Sequence, residues 1–192
     1  MERWVLLRKG ADFEAIGKKY QISPRLACLI RNRDVIGEEA VDRYLNGTIS
    51  DLYDGMLMKD MDKAIDILKE KILEDKKIRV IGDYDIDGVN ATYILLEGLE
   101  RLGADVDSDI PDRISDGYGL NRHLVERAHE AGVDTLITCD NGIAAADEIA
   151  YGKEMGMTVI VTDHHEVPFD EQDGEKRYRI PPADAVMDPK QP

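Results

Sequence analysis

Cysteine, basic charge and long apolar runs are scarce in this sequence, and each shortage closes a possibility. Two cysteines in 192 residues, Cys28 and Cys139, give neither a disulfide framework nor zinc-ligand spacing. Both read as small buried side chains in a reducing compartment. Lysine and arginine number 25 against 40 aspartates and glutamates, for a formal net charge of −15. Such a surface repels a phosphate backbone at long range, so composition alone speaks against a nucleic-acid binder. Bound divalent cations would reverse that sign locally. No run approaches membrane-spanning length, and the opening "MERWVLLRKG" has no apolar signal region, so a cytoplasmic protein without membrane contact is expected. Internal repeats and low-complexity segments are also missing.

What the chain does have is an ordinary apolar content, 43%, enough for one α/β domain with a small appendage. Residues 11–75 read as helical. Ile22, Leu26, Leu29 and Ile30 recur at helical spacing, and Ser23 and Pro24 suit an N-cap and a first helical position. In "KDMDKAIDILKEKILEDKK" the residues Met61, Ile65, Leu68 and Ile72 share one face, with charges opposite. From residue 77 the pattern changes. The runs "KIRVIG", "DTLITCD" and "MTVIVTD" alternate with helical segments at 88–102, 121–131 and 143–155, and "ADVDSDIP" and "ADAVMD" are weaker strand candidates. Continuous rather than alternating apolar runs predict strands buried on both faces. The expected fold is therefore α/β, a parallel doubly wound sheet over residues 77–192, preceded by a helical segment over 1–76. "PFDEQDGEKRYRIPP" marks a loop or hairpin, and the ending "AVMDPKQP" reads as a strand and turn with no closing helix, as in a truncated domain.

Three strong strands end in groups suited to chemistry. The first is followed by Asp83, Asp85 and Asp87 in "GDYDIDG", the second by Asp140, and the third by Asp163, His164 and His165. An aspartate at a strand–helix junction is often an N-cap, and a histidine pair is usually a loop element. Three such clusters at one end of three consecutive strands point further, because unpaired carboxylates repel and raise one another's pKa values. A divalent metal removes that conflict. Oxygen and imidazole donors without thiolate fit Mn²⁺ or Mg²⁺, and the donors suffice for two ions sharing one carboxylate. Cys139 precedes Asp140 in strand alternation and so points to the opposite face. In "PDRISDGYGLNRH", Arg113 suits a phosphate clamp and Tyr118 a base-stacking ring.

"GDYDIDG", the aspartate of "TCDNG" and "TDHHE" together resemble the successive motifs of the DHH phosphoesterase superfamily. "RWVL", "SPRLACLIRNRDV" and "PDRISDGYGL" narrow the resemblance to RecJ-type single-strand-specific DNA exonucleases. It covers essentially the whole chain. It implies a parallel-sheet catalytic domain with two Mn²⁺ or Mg²⁺ ions that removes nucleotides from the 5′ end of single-stranded DNA in recombination and repair, in company with other repair proteins. By position, the resemblance implies Asp83, Asp85, Asp87, Asp140 and His164 as metal ligands, with Asp140 bridging the ions. It further implies His165 facing the scissile phosphate and Asp163 orienting the histidines. Two departures qualify it. The family has another metal-binding aspartate downstream, in a segment these residues do not include, and a second domain, usually with an oligonucleotide-binding fold, where a basic surface would lie.

Rival readings remain at this stage. "DIDGV" resembles the Asp-x-Asp-Gly motif of haloacid-dehalogenase-type phosphatases, with Asp85 as nucleophile and Asp87 as acid, which leaves the histidine pair without a role. Others are a DHH-family phosphodiesterase acting on nanoRNA or a cyclic dinucleotide, and a non-catalytic replication or repair scaffold.

Overall fold

The computed structural model describes residues 4–5, 9–172 and 174–192; Arg3 and Leu6 of "RWVL" lie outside the described residues. The chain divides into two compact units, residues 1–54 and 55–192. In the first, Asp12 caps helix α1 (Phe13–Tyr20) by accepting from the Ala15 amide, and Ser23 caps α2 (Pro24–Asn32), with Pro24 opening the helix. A third helix, α3, spans Glu38–Asn46. The buried stripe of α2 runs through Ala27 and Ile30, leaving Leu26 and Leu29 exposed. Cys28 is only partly buried, unlike the expectation for it.

The second unit starts earlier than the change of pattern at residue 77, because helix α4 (Met61–Leu73) packs on the sheet. Its apolar face has the expected Met61, Leu68 and Ile72, with Ala64 fully inside. The elements that follow are β1 (Ile78–Ile81), α5 (Ile86–Arg101), β2 (Val106–Asp109), α6 (Arg122–Glu130), β3 (Thr135–Cys139), α7 (Ala146–Glu154), β4 (Thr158–Thr162), an antiparallel hairpin of β5 (Phe169–Gln172) and β6 (Glu175–Tyr178), and β7 (Ala185–Met187). Five strands form one parallel sheet in the order β2-β1-β3-β4-β7. Both weaker strand candidates therefore join it, one at each edge, and the doubly wound parallel fold expected from the apolar runs is the fold observed.

Each sheet face has its own apolar layer. Ile81, Leu136, Val159, Val161 and Val186 pack with Leu124, Val125 and Ile149 of α6 and α7. Ile78, Val80, Ile137, Cys139 and Ile160 pack with Ala64 of α4 and Leu99 of α5. Every residue of β3 is buried, which is why its sequence shows no alternation. Each fully buried Ile, Leu or Val contributes about 1.5–3 kcal/mol, so these layers dominate the unit's stability. At the edge, Arg79 binds Asp107, its register partner on β2, through two hydrogen bonds of 2.6 and 2.7 Å. Among the described residues, no helix is long and apolar enough to cross a membrane.

Candidate metal centre

The chain leaves β1 for β2 on one side, and β3 then pairs on the other side of β1. That reversal makes a topological switch point, where a crevice opens outside the carboxyl ends of β1 and β3. Asp83, Asp85 and Asp87 follow β1, Asp140 follows β3, and Asp163, His164 and His165 follow β4 beside it.

Local geometry explains how each acid is held. Asp85 is the N-cap of α5, and its Oδ1 accepts from the amides of Asp87 (2.9 Å) and Gly88 (3.0 Å). The capping role open to an aspartate at a strand–helix junction is thus taken here by Asp85. Gly88 is required by packing: a Cβ there would lie 2.5 Å from the Asp83 carbonyl oxygen and 2.6 Å from its amide nitrogen. Asp83 is fully buried, and neither carboxylate oxygen has a hydrogen-bond partner among the described residues. Asp140 is buried with φ +60°, a left-handed conformation uncommon outside glycine, though aspartate and asparagine adopt it more readily than most.

The histidines are held by two acids. His164 Nε2 lies 2.8 Å from Asp140 Oδ1. His165 Nδ1 lies 2.7 Å from Asp163 Oδ1, which also accepts from the His164 and His165 amides, while Asp163 Oδ2 accepts from the buried Ile143 amide at 2.9 Å. Asp163 thus braces the His165 imidazole and the backbone of both histidines. One donor atom each from Asp140, His164 and His165 falls within 4.8 Å of the others. The Asp85 carboxyl reaches that of Asp140. Asp87 is exposed and, with Asp140 and His164, lines a cavity of about 550 Å³ whose remaining walls are mostly apolar residues of α4, α5 and the sheet.

Electrostatics separate the two facing carboxyls. The Gly88 amide, the largest influence, holds Asp85 below the usual carboxylate range. Burial pushes Asp140 up, and the nearby Asp85 charge adds to this against the pull of His164. His165 is raised above an ordinary histidine by its hydrogen bond to Asp163. Tyr118, whose hydroxyl lies 3.2 Å from His165 Nε2, is pushed up to about 12 by burial and by the surrounding carboxylates.

Beside the acids stands a group of rings. Tyr84 and Tyr118 meet edge to face with centroids 5.9 Å apart, and the Arg113 guanidinium lies over the Tyr84 ring at 5.3 Å. Tyr118 therefore lies against His165, and Arg113 is tied to the group through Tyr84, a residue that the strand-end pattern did not single out. Cys139 packs in the apolar layer under α5, with its sulfur 3.4 Å from the Thr92 hydroxyl. The sequence reading also missed Asp188, 2% exposed at the carboxyl end of β7. It repeats the signal of the other strands, an apolar run closed by an acid, over a strand of only three residues.

The donor set suits a divalent cation, since donor atoms of Asp140, His164 and His165 converge and, among the described residues, neither oxygen of the buried Asp83 has a hydrogen-bond partner. Comparison with known proteins agrees in outline. Residues 77–192 match the family model described as the DHH family, N-terminal domain. The single-stranded-DNA-specific exonuclease RecJ of Bacillus subtilis is 38% identical over 99% of this chain and 23% of its own length. The Escherichia coli protein of that name is 30% identical over 98% of this chain and 31% of its own length, so the chain spans less than a third of either relative. Among solved structures, exonuclease RecJ bound to manganese superposes with a TM-score of 0.61 at 37% identity, covering 72% of this chain and 33% of that one. RecJ of Thermus thermophilus in complex with Mn²⁺ gives 0.61 at 28% identity over 97% and 25%.

Proposed function

This chain belongs to the DHH family, and from that premise we propose that it carries the metal-binding part of a phosphodiesterase that removes nucleotides from the 5′ end of single-stranded DNA. The observation that carries the reading is the pair of braced imidazoles, Asp140–His164 and Asp163–His165, at the switch point that also carries the buried Asp83, whose carboxylate has no hydrogen-bond partner among the described residues. The relatives' names supply the substrate class and their manganese-bound structures the ion.

In this reading Asp83, Asp85, Asp87, Asp140 and His164 would hold two Mn²⁺ or Mg²⁺ ions. Bound there, the ions supply an activated water near neutral pH and neutralise phosphate charge. The acidic chain then meets a polyanion because its own carboxylates are covered by cations. His165 keeps its proton through Asp163 and turns Nε2 toward the scissile phosphate, where an imidazolium stabilises developing negative charge. Arg113 clamps a phosphate, and Tyr118 stacks under a terminal base. A cytoplasmic setting and partners among recombination and repair proteins belong to the same proposal. Membership of the DHH family sets aside the haloacid-dehalogenase reading; Asp85, tied to two amides by one oxygen, caps a helix.

The test combines Mn²⁺ calorimetry with release of label from 5′-labelled single-stranded DNA, using the wild type and Asp140→Ala. Release and metal binding that are both lost in the variant are expected. Cleavage of a short RNA or a cyclic dinucleotide with the DNA left intact refutes the substrate class. Metal binding without cleavage of any phosphodiester refutes catalysis by this chain and favours a scaffold.

A further inference from the structure

Asp188 directly follows β7, and its main chain is tied to the centre: the Asp163 amide donates to the Met187 carbonyl at 3.0 Å, and Thr162 pairs with Met187. Asp188 therefore stands beside Asp163 at the same end of the sheet, with 2% of its surface exposed. Its Oδ1 accepts from the Lys190 amide at 2.7 Å, while its Oδ2 is buried with no hydrogen-bond partner among the described residues. The charged groups that act on it are Asp163, Lys190 and His164. The Lys190 ammonium pairs with Glu166 at 2.8 Å and His164 Nε2 is engaged by Asp140, so neither side chain bonds to Asp188 Oδ2.

A buried carboxylate oxygen left unmatched loses its hydration without compensation. It stands next to Asp163 at the sheet end that carries the histidines, within electrostatic reach of His164. We propose that Asp188 is a further carboxylate of the divalent-cation centre, its Oδ2 free for the cation at His164 or for that cation's water. This rests on the metal reading above and adds a residue that the three strand-end motifs do not include. Carboxylates of this kind change metal affinity about 10–100-fold when removed.

Asp188→Asn tests it, because the amide keeps an oxygen for the Lys190 N–H and fills the same volume. Metal-free melting temperature and Mn²⁺ affinity by calorimetry are measured for the wild type, Asp188→Asn and Asp140→Ala. The expected result is a metal-free melting temperature equal to or above the wild type's, with Mn²⁺ affinity at least about tenfold weaker. Unchanged affinity overturns the proposal. So does a fall in metal-free stability together with affinity, which marks a carboxylate that only supports the fold. If Asp140→Ala binds like the wild type while Asp188→Asn does not, Asp188 stands and the assignment of Asp140 fails. If the wild type binds no Mn²⁺, both readings fall together.

Discussion

Asp163→Ala strips one buried carboxylate from four donors: the amides of Ile143, His164 and His165, and His165 Nδ1. The Ile143 amide lies in the interior, and a buried donor left unmatched costs about 1–3 kcal/mol. The His164 and His165 amides are nearer solvent, and water recovers part of their loss, so together they add roughly 1–2 kcal/mol. The His165 side chain is 45% exposed, which limits its ionic part to about 1 kcal/mol or less. The total is about 2–6 kcal/mol, which spans the range for removing one member of a buried pair. The pH dependence has a definite sign. His165 is raised above its unfolded value by Asp163, so its share of stability is fully present below about pH 6.5, the ordinary histidine value, and is lost as pH rises through the higher folded value. Urea unfolding of wild type and variant at several pH values above 6 should therefore give a gap that narrows with rising pH. Histidine NMR titration should find the His165 pKa lower in the variant. A gap under about 1 kcal/mol, or an unmoved His165 titration, would refute the brace.

Other expectations follow from neighbouring contacts. His165→Ala should lower turnover on single-stranded DNA by about 10²–10³ while Mn²⁺ affinity stays near the wild type, whereas Asp87→Ala should lower both; wild-type turnover at saturating metal would remove His165 from the chemistry. Gly88→Ala should destabilise by about 1–3 kcal/mol in a urea melt, because the new methyl meets the Asp83 backbone; a neutral result would mean the start of α5 yields freely. Asp107→Asn should cost about 1 kcal/mol by breaking the Arg79 pair. The Arg79 hydrogen bond holds Asp107 below the usual carboxylate range, so that difference is present above about pH 4 and should vanish as pH falls through the lower folded value; a gap that persists in acid would point to a cause other than the ion pair.

The central strands were legible because a strand buried on both faces has no polar alternation to hide it, as "TLITC" of β3 shows. The strand-end acids were legible for the same reason, since each breaks an apolar run. Long-range pairing was not. Nothing local in "KIRVIG" announces that Arg79 meets Asp107, and nothing in "KDMDKAIDILKE" says which layer α4 will cover. Leu26 and Leu29 fit a helical period, yet smaller Ala27 turned inward with Ile30. Asp188 was read as part of a terminal turn because a three-residue strand is too short to establish a period, and the proline after it suggested an end rather than a site. Asp140 and His164 were placed on adjacent strands by sequence, but their 2.8 Å contact depends on a left-handed residue that no pattern reveals.

The double duty of Asp85 makes a helix end into a reporter. The oxygen that accepts from the Asp87 and Gly88 amides belongs to the same carboxylate that faces Asp140, so any ion drawing on that carboxylate acts on the first turn of α5. Occupancy of the centre then becomes readable without substrate, in how fast the protons of those two amides exchange with solvent. An ion that engages only the other oxygen would fix the carboxylate and slow the exchange, whereas one that turns the group away would speed it. The direction of that change tells whether the first turn of α5 is tightened by the metal or given up to it.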